Sequence, residues 1–132
     1  MSMIRNIRIF ILLYYYYNAL DKHGIKPVME KLKMKKMKCK RHKVDITVEE
    51  VVSFCNKLES VRIKHPLKDK ALCLHKSVVA YSMLVERGIK VDLLVGIAKG
   101  EFEAHSWIEF KGRVLNDNHD YVKQKYKIIM GI

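Results

Sequence analysis

The chain opens with an almost unbroken apolar and aromatic segment at residues 7–17, flanked by Arg5 and Arg8. We predict a helix from Ile4 to Leu20 that ends near Gly24, because glycine is a common helix stop. The segment is shorter than the roughly 20 apolar residues that a transmembrane helix needs, and no small-residue signal cleavage site follows it. A buried or interfacial first helix is expected, with surface membrane contact as an open alternative. A second helical, lysine-rich segment follows Pro27.

A helical period returns at residues 48–58. Apolar side chains recur there at the spacing of one helix face: Val48, Val51, Val52, Cys55 and Leu58. Thr47 and Glu50 have the S/T-x-x-E spacing of a capping box, which predicts where this helix begins. Cys55 lies on the apolar stripe, where cysteine usually behaves as a small buried hydrophobe.

The next helix is predicted from about Lys70 to Arg87, ended by Gly88. Cys73 falls in its first turn. Unpaired N–H groups and the positive end of the helix dipole favour a thiolate at such a position.

After Gly88 the apolar period changes from 3.6 to 2, which predicts three strands at residues 91–98, 103–110 and 113–116. Helices followed by an antiparallel sheet are typical of the α+β class.

The hairpin between the last two strands sets which residues can meet. A three-residue turn at 110–112, with Gly112 left-handed, would pair Glu109 with Arg113. His105 would then lie directly opposite Asp117, on the same face of the sheet. A two-residue turn would instead put His105 and Asp117 on opposite faces. The interpretation of these residues as a His–Asp pair therefore depends on the turn.

Length and charge narrow the functional classes. The 132 residues suit one compact domain, which we divide into a hydrophobic helix and basic segment at 1–44 and a core at 45–132. The formal net charge is +12, and residues 31–43 contain eight Lys or Arg and no acid. This tract is either a solvated helix face or linker, or a polyanion-binding segment. Aromatic residues do not interleave with it, which weakens a nucleic-acid interpretation.

The three cysteines, an odd number without paired spacing, argue against a disulfide framework, and no C-x-x-C supports a zinc site. We expect a cytoplasmic protein with no metal and no cofactor. Among the histidines, His75 should point away from Cys73, and His119 could replace His105 if the hairpin register differs. The remaining histidines are expected at the surface: His23, His42 and His65.

The segments ALCLHKSVVAYSMLVERGIKVDLLVGI and FEAHSWIEFKGRVLND resemble the lasso-peptide leader peptidases, a transglutaminase-like family of ribosomal peptide maturation. The shared pattern covers about residues 70–117. The resemblance implies a papain- and transglutaminase-like fold, in which the cysteine helix packs on an antiparallel sheet. It also makes Cys73 the nucleophile, His105 the general base and acid, and Asp117 the residue that orients His105.

Three other motif residues have both a functional and an ordinary interpretation. Trp107 shares the face of His105 by strand alternation and either shields the imidazole or fills the interior. Ser77, one turn after Cys73, either lines the site or packs the helix, and Glu109 is equally ambiguous. The chain departs from the family pattern at Lys76, where arginine is frequent, and at Ser106, where alanine is common.

The resemblance implies cleavage of the leader from a lasso-peptide precursor. The expected partners are the precursor, a separate leader-recognition protein and a macrolactam-forming synthetase; no nucleic acid is expected. Two alternatives stay open. One is a transglutaminase-like acyl transferase, since the same triad can pass an acyl group to an amine. The other is a non-catalytic basic protein that binds nucleic acid or a membrane.

Overall fold

The computed structural model describes residues 2–38, 46–66, 73–98, 104–115 and 118–132. The helices and strands are, in chain order, α1 (Ser2–His23), α2 (Ile25–Lys38), α3 (Val48–Lys64), α4 (Cys73–Glu86), β1 (Asp92–Ala98), β2 (Ala104–Phe110), β3 (Arg113–Val114), α5 (His119–Lys125) and β4 (Tyr126–Gly131). The four strands form one antiparallel sheet in the order β3-β2-β1-β4. The α+β prediction is confirmed.

The helix ends follow their sequence signals. Gly24 separates α1 from α2 with φ +81°, a left-handed conformation that glycine adopts without strain. The Thr47 hydroxyl accepts the Glu50 N–H at 3.2 Å, so the predicted cap of α3 is confirmed. α3 continues to Lys64, six residues beyond the predicted end. On its last turns Glu59 pairs with Arg62 of the same helix and with Lys76 of α4.

α4 is the central helix of the fold. It packs against α1, α2 and α3 and against strands β1 and β2, so it is apolar on nearly all sides, as expected for an enclosed helix. Its buried side chains include Val78, Val79, Tyr81, Met83 and Leu84. α1 and α2 contribute Ile9, Leu13, Val28, Met29 and Leu32 to the same core. The N-terminal helices thus pack directly on the helix that begins with Cys73; the predicted boundary at residues 44 and 45 falls largely outside the described residues.

The sheet has a different partner on each face. Leu93 and Val95 of β1, with Ile108 and Phe110 of β2, belong to the main core with the helices. The opposite face carries a second, smaller cluster made by Ala98, Trp107, Val114, Val122 and Tyr126. α5 covers this second cluster through Val122, which is fully buried. Residues 105, 107 and 109 of β2 therefore face α5, not the helical layer.

The hairpin register differs from the prediction. Phe110 pairs with Arg113 and Glu109 with Val114, so the turn has two residues, Lys111 and Gly112. Both have positive φ, 53° and 79°, as a type I′ turn requires, and such turns match the right-handed twist of the strands. The prediction that Glu109 pairs with Arg113 was wrong. The predicted position of His105 directly opposite Asp117 depended on that pairing, so it is no longer supported by the hairpin register.

The last two elements, α5 and β4, were not predicted. Asn118 caps α5 by accepting the Tyr121 N–H at 2.9 Å, and β4 adds a fourth strand beside β1. Both had a local signal in the sequence, namely an Asn before a helical turn and the apolar run at residues 128–130. Pairing with β1, 28 or more residues earlier, is a long-range choice that no local pattern specifies.

The ion pairs that join α3 to α4 centre on Glu59. Its carboxylate accepts from Arg62 Nε at 3.0 Å and from Lys76 Nζ at 2.8 Å. Hydrogen bonding from Arg62 is the main cause that lowers the pKa of Glu59 from 4.5 to about 2, and Lys76 adds to it against partial burial. Lys76 thus forms an ion pair that joins α4 to α3.

This network predicts a specific acid sensitivity. Because the folded-state pKa of Glu59 is depressed, its contribution to stability is present above about pH 4.5 and disappears as the pH falls towards 2. We expect Glu59→Gln to lower the free energy of unfolding by about 1 kcal/mol at pH 7, a figure reduced for partial exposure. The difference from wild type should shrink towards zero near pH 2. Urea unfolding at both pH values measures it, with Glu30→Gln on the exposed side of α2 as the matched control; an equal loss at both pH values would contradict the assignment.

Candidate functional site

The predicted nucleophile and the predicted base lie near the starts of two elements that pack on each other, α4 and β2. Cys73 is the first residue of α4, so its backbone occupies the helix start where a thiolate is favoured. α4 is followed closely by β1 and packs along β1 and β2. The 14 residues of α4 span about 21 Å and the seven of β1 about 23 Å. Because these lengths are similar, we expect the end of β1, where Gly96 pairs with His105, to lie on the same side of the fold as the start of α4.

His105 is half-buried on the α5 side of the sheet, where its ring forms a cluster with two aromatic rings. Its ring centroid lies 6.0 Å from that of Trp107 in a stacked arrangement and 5.1 Å from that of Tyr126. The prediction that Trp107 shares the face of His105 is confirmed. The two neighbouring rings limit the rotation of the imidazole.

Trp107 is fixed from two directions. Its indole N–H donates to Glu109 Oε2 at 2.9 Å, and Lys123 of α5 donates to the same oxygen at 2.8 Å. Glu109 is 7% exposed, so this carboxylate is satisfied inside the fold. Glu109 therefore holds the indole that stacks on His105 and ties β2 to α5.

Gly96 provides the floor beneath the indole. A Cβ built at Gly96 would lie 2.7 Å from Trp107 Cη2 and 3.0 Å from the Lys127 carbonyl oxygen. Any side chain at this position would displace the indole or the neighbouring strand. The close approach of Trp107 therefore explains why glycine stands between Val95 and Ile97.

The structure brings together only part of the predicted site. Of Cys73 it describes the backbone, while Asp117 lies outside the described residues, as do Cys39 and His42. In the observed register, the last described hydrogen bond of this hairpin joins Leu115 N–H to the Ile108 carbonyl at 3.0 Å. Asp117 therefore remains a candidate only on the resemblance.

Three further residues singled out in the sequence, Ser77, Ser106 and Cys55, are buried. Ser77 is fully buried in α4, in keeping with helix packing. The Ser106 hydroxyl is buried with no hydrogen-bond partner among the described residues, which fits the alanine that is common at this position. Cys55 is buried as predicted, and desolvation raises the pKa of its thiol to about 11. It is therefore unsuited to act as a nucleophile.

The other described histidines have different surroundings. His75 contacts Tyr17 of α1, with ring centroids 5.4 Å apart, and burial lowers its pKa. His119 Nδ1 accepts the Val114 N–H at 3.1 Å, which is a structural contact behind the hairpin. His23 is exposed as predicted.

The surface prediction for His65 was wrong. His65 is 0% exposed, its Nε2 lies 3.0 Å from the Phe10 carbonyl oxygen, and its ring packs on Phe10 and Tyr14 of α1. The contact partners come from 51 or more residues earlier in the chain, so the local polar sequence gave no indication of burial.

Within the described residues, no group of three or more His, Cys, Asp or Glu side chains is arranged to hold a metal ion. Nor does any helix in that part of the chain combine the length and apolar character needed to cross a bilayer.

Comparison with known families gives one result that spans most of the chain. The model of the transglutaminase-like superfamily matches residues 16–131. Searches of curated proteins and of solved structures found no match. The matched region extends from α1 to β4 and includes both Cys73 and His105. The chain therefore belongs to the transglutaminase-like superfamily.

Proposed function

We propose that this protein is a cysteine peptidase that removes the leader from a lasso-peptide precursor, with Cys73, His105 and Asp117 as its triad. Membership of the superfamily indicates a cysteine peptidase or an acyl transferase. The observation that supports the site assignment is that α4, which begins with Cys73, packs against β2, which carries His105 near its start beside the rings of Trp107 and Tyr126. The precursor specificity rests on the resemblance of residues 70–117.

The chemistry follows from these positions. The Cys73 thiolate, stabilised by the α4 N-terminus, attacks the scissile carbonyl carbon, and His105 gives its proton to the leaving amine. The leader stays on Cys73 as a thioester while the core departs with a free α-amine. His105 then takes a proton from water, whose oxygen attacks the thioester and releases the leader. The backbone N–H of Cys73 is one donor to the oxyanion.

In this proposal the reaction takes place at the end of β2, because His105 faces α5 whereas α4 packs on the other face of the sheet. Asp117 is assigned as the residue that orients His105 on the resemblance alone, because the two-residue turn removes the register that would have placed it opposite His105.

An acyl transferase with the same triad is the second candidate, and superfamily membership favours it equally. The products distinguish the two. Mass spectrometry of a panel of lasso-peptide precursors, each incubated with its leader-binding protein, should show two fragments whose masses sum to the precursor plus water. Cys73→Ala should abolish them. Products in which an amine has been joined to the peptide would instead identify a transferase.

The partners in this proposal are a separate leader-recognition protein and a macrolactam-forming synthetase, acting in the cytoplasm. Ile7, Ile11 and Tyr15 are more than half exposed on α1 and form a candidate docking face. The lysine tract is less available than its charge implies. Lys35 donates to Ser82 at 2.9 Å and Lys36 to the Val91 carbonyl at 3.0 Å. Charge reversal at these two lysines would therefore disturb the fold as well as any partner contact.

A further inference from the structure

A groove of about 420 Å³ runs between α1 and α2, and none of the residues that line it belongs to the predicted triad. Its volume is within the usual range of ligand-binding clefts. The walls are mainly apolar, with one stripe from each helix: Tyr15, Tyr16 and Ala19 from α1, and Pro27, Val28 and Leu32 from α2. Two helix stripes with an apolar floor form the kind of surface that receives the apolar side chains of a peptide.

The charged residues that line this groove are of one sign. Lys22, Lys31 and Lys35 stand at its rim, and no Asp or Glu is among the described residues that line it. Lys22 and Lys31 are exposed. Asp21 and Glu30 are neighbours in sequence but do not line the groove. An occupant with apolar anchors and flanking carboxylates is therefore complementary to both the floor and the rim.

The groove is connected to the start of α4 through consecutive residues of α1. Tyr16 lines the groove and donates to the Ser82 hydroxyl of α4 at 3.1 Å. Tyr17, the next residue, contacts His75, two residues after Cys73. A chain bound in the groove is thus anchored beside the helix that begins with Cys73.

We propose that the α1–α2 groove is an exosite that binds an acidic peptide segment of the substrate through its apolar side chains and its carboxylates. This rests on the proposed function only in that the substrate is a peptide. The groove holds a segment outside the scissile bond, so it governs affinity and leaves the reactivity of Cys73 unchanged.

The test is fluorescence anisotropy with a fluorescein-labelled amphipathic peptide of about 15 residues. Leu residues recur in it at the spacing of one helix face, and Glu residues occupy the positions beside them. The same peptide with Lys in place of Glu is the control for charge. The acidic peptide should bind and the basic one should not. Removing two rim charges, in Lys22→Gln/Lys31→Gln, should weaken binding about five- to tenfold.

A matched variant separates the groove from the general positive charge. Lys26→Gln/Lys33→Gln removes two exposed lysines from the same pair of helices, but neither lines the groove. Its affinity should stay within about twofold of wild type. Ala19→Trp, which fills the groove, should reduce binding more than tenfold, with circular dichroism used to verify folding.

Equal losses in the two double variants would overturn the exosite, as would binding of the basic peptide. Binding of phosphatidylglycerol vesicles that depends on Lys22 and Lys31, without peptide binding, would identify a lipid surface instead and would also overturn it. Alkylation of Cys73 separates this inference from the proposed function. Peptide binding with an unreactive Cys73 would contradict the peptidase proposal and support the exosite. A reactive Cys73 without peptide binding would support an activated cysteine and contradict the exosite.

Discussion

Alkylation of Cys73 by iodoacetamide at pH 6 is expected to be on the order of 10²-fold faster in the wild-type protein than in His105→Ala. A free thiol with a pKa of about 8.5 is well below 1% ionised at that pH, whereas a thiolate paired with an imidazolium at a helix start is largely ionised. The lower nucleophilicity of a low-pKa thiolate offsets part of this gain. Labelling of each cysteine, followed by peptide mapping across pH, measures the effect.

Two controls belong to the same experiment. Cys55 should stay unlabelled in the folded protein, because it is buried and its pKa is raised to about 11. His119→Ala tests the alternative base, since His119 contacts the Val114 N–H rather than the aromatic cluster around His105. If His119→Ala slowed alkylation and His105→Ala did not, the assignment of His105 would be wrong.

Gly96→Ala is expected to lower the free energy of unfolding by about 2–3 kcal/mol and to remove most of the enhanced reactivity of Cys73. The new Cβ would lie 2.7 Å from the Trp107 indole and 3.0 Å from a backbone carbonyl oxygen. Neither neighbour is free to move: the indole N–H is bonded to Glu109, and the carbonyl belongs to Lys127 of β4. Displacing the indole would release the ring that stacks on His105.

Trp107 is the single tryptophan of the chain, so its fluorescence reports directly on the displaced ring. Gly131→Ala is the matched control, because its Cβ would lie 2.7 Å from the flexible end of Leu94, at Cδ2, and at an ordinary contact distance of 3.7 Å from the Leu93 carbonyl oxygen. We expect a loss below about 1 kcal/mol there and an unchanged emission spectrum. An unchanged spectrum in Gly96→Ala, with wild-type stability, would show that the indole is not held as described.

The positions of Trp107 and His105 depend partly on their spacing in β2 and partly on contacts from other elements. Alternation along β2 places both rings on one face, and this was predicted from the spacing alone. What holds the rings comes from elsewhere in the chain: Gly96 from β1, Lys123 from α5 and Tyr126 from β4. The motif therefore specifies the side of the sheet, and the surrounding fold specifies the position of the imidazole.

The sequence by itself determined the features that depend on near neighbours. Helical periodicity and the Thr47 cap gave the start of α3, Gly24 separated the first two helices, and a period of 2 gave β1 and β2. Each of these depends on residues within a few positions of one another, so the local pattern contains the necessary information. The burial of Cys55 followed in the same way from its place on an apolar stripe.

Only the tertiary structure decided the rest. The turn at Lys111 and Gly112 contains two residues because the strands it joins must twist together, and this one-residue change overturned the expected opposition of His105 and Asp117. His65 is buried because α1 folds over it, and β4 completes the sheet by pairing with β1. In each case the stabilising contacts join segments that are distant in the sequence. A local pattern of residues does not specify such contacts.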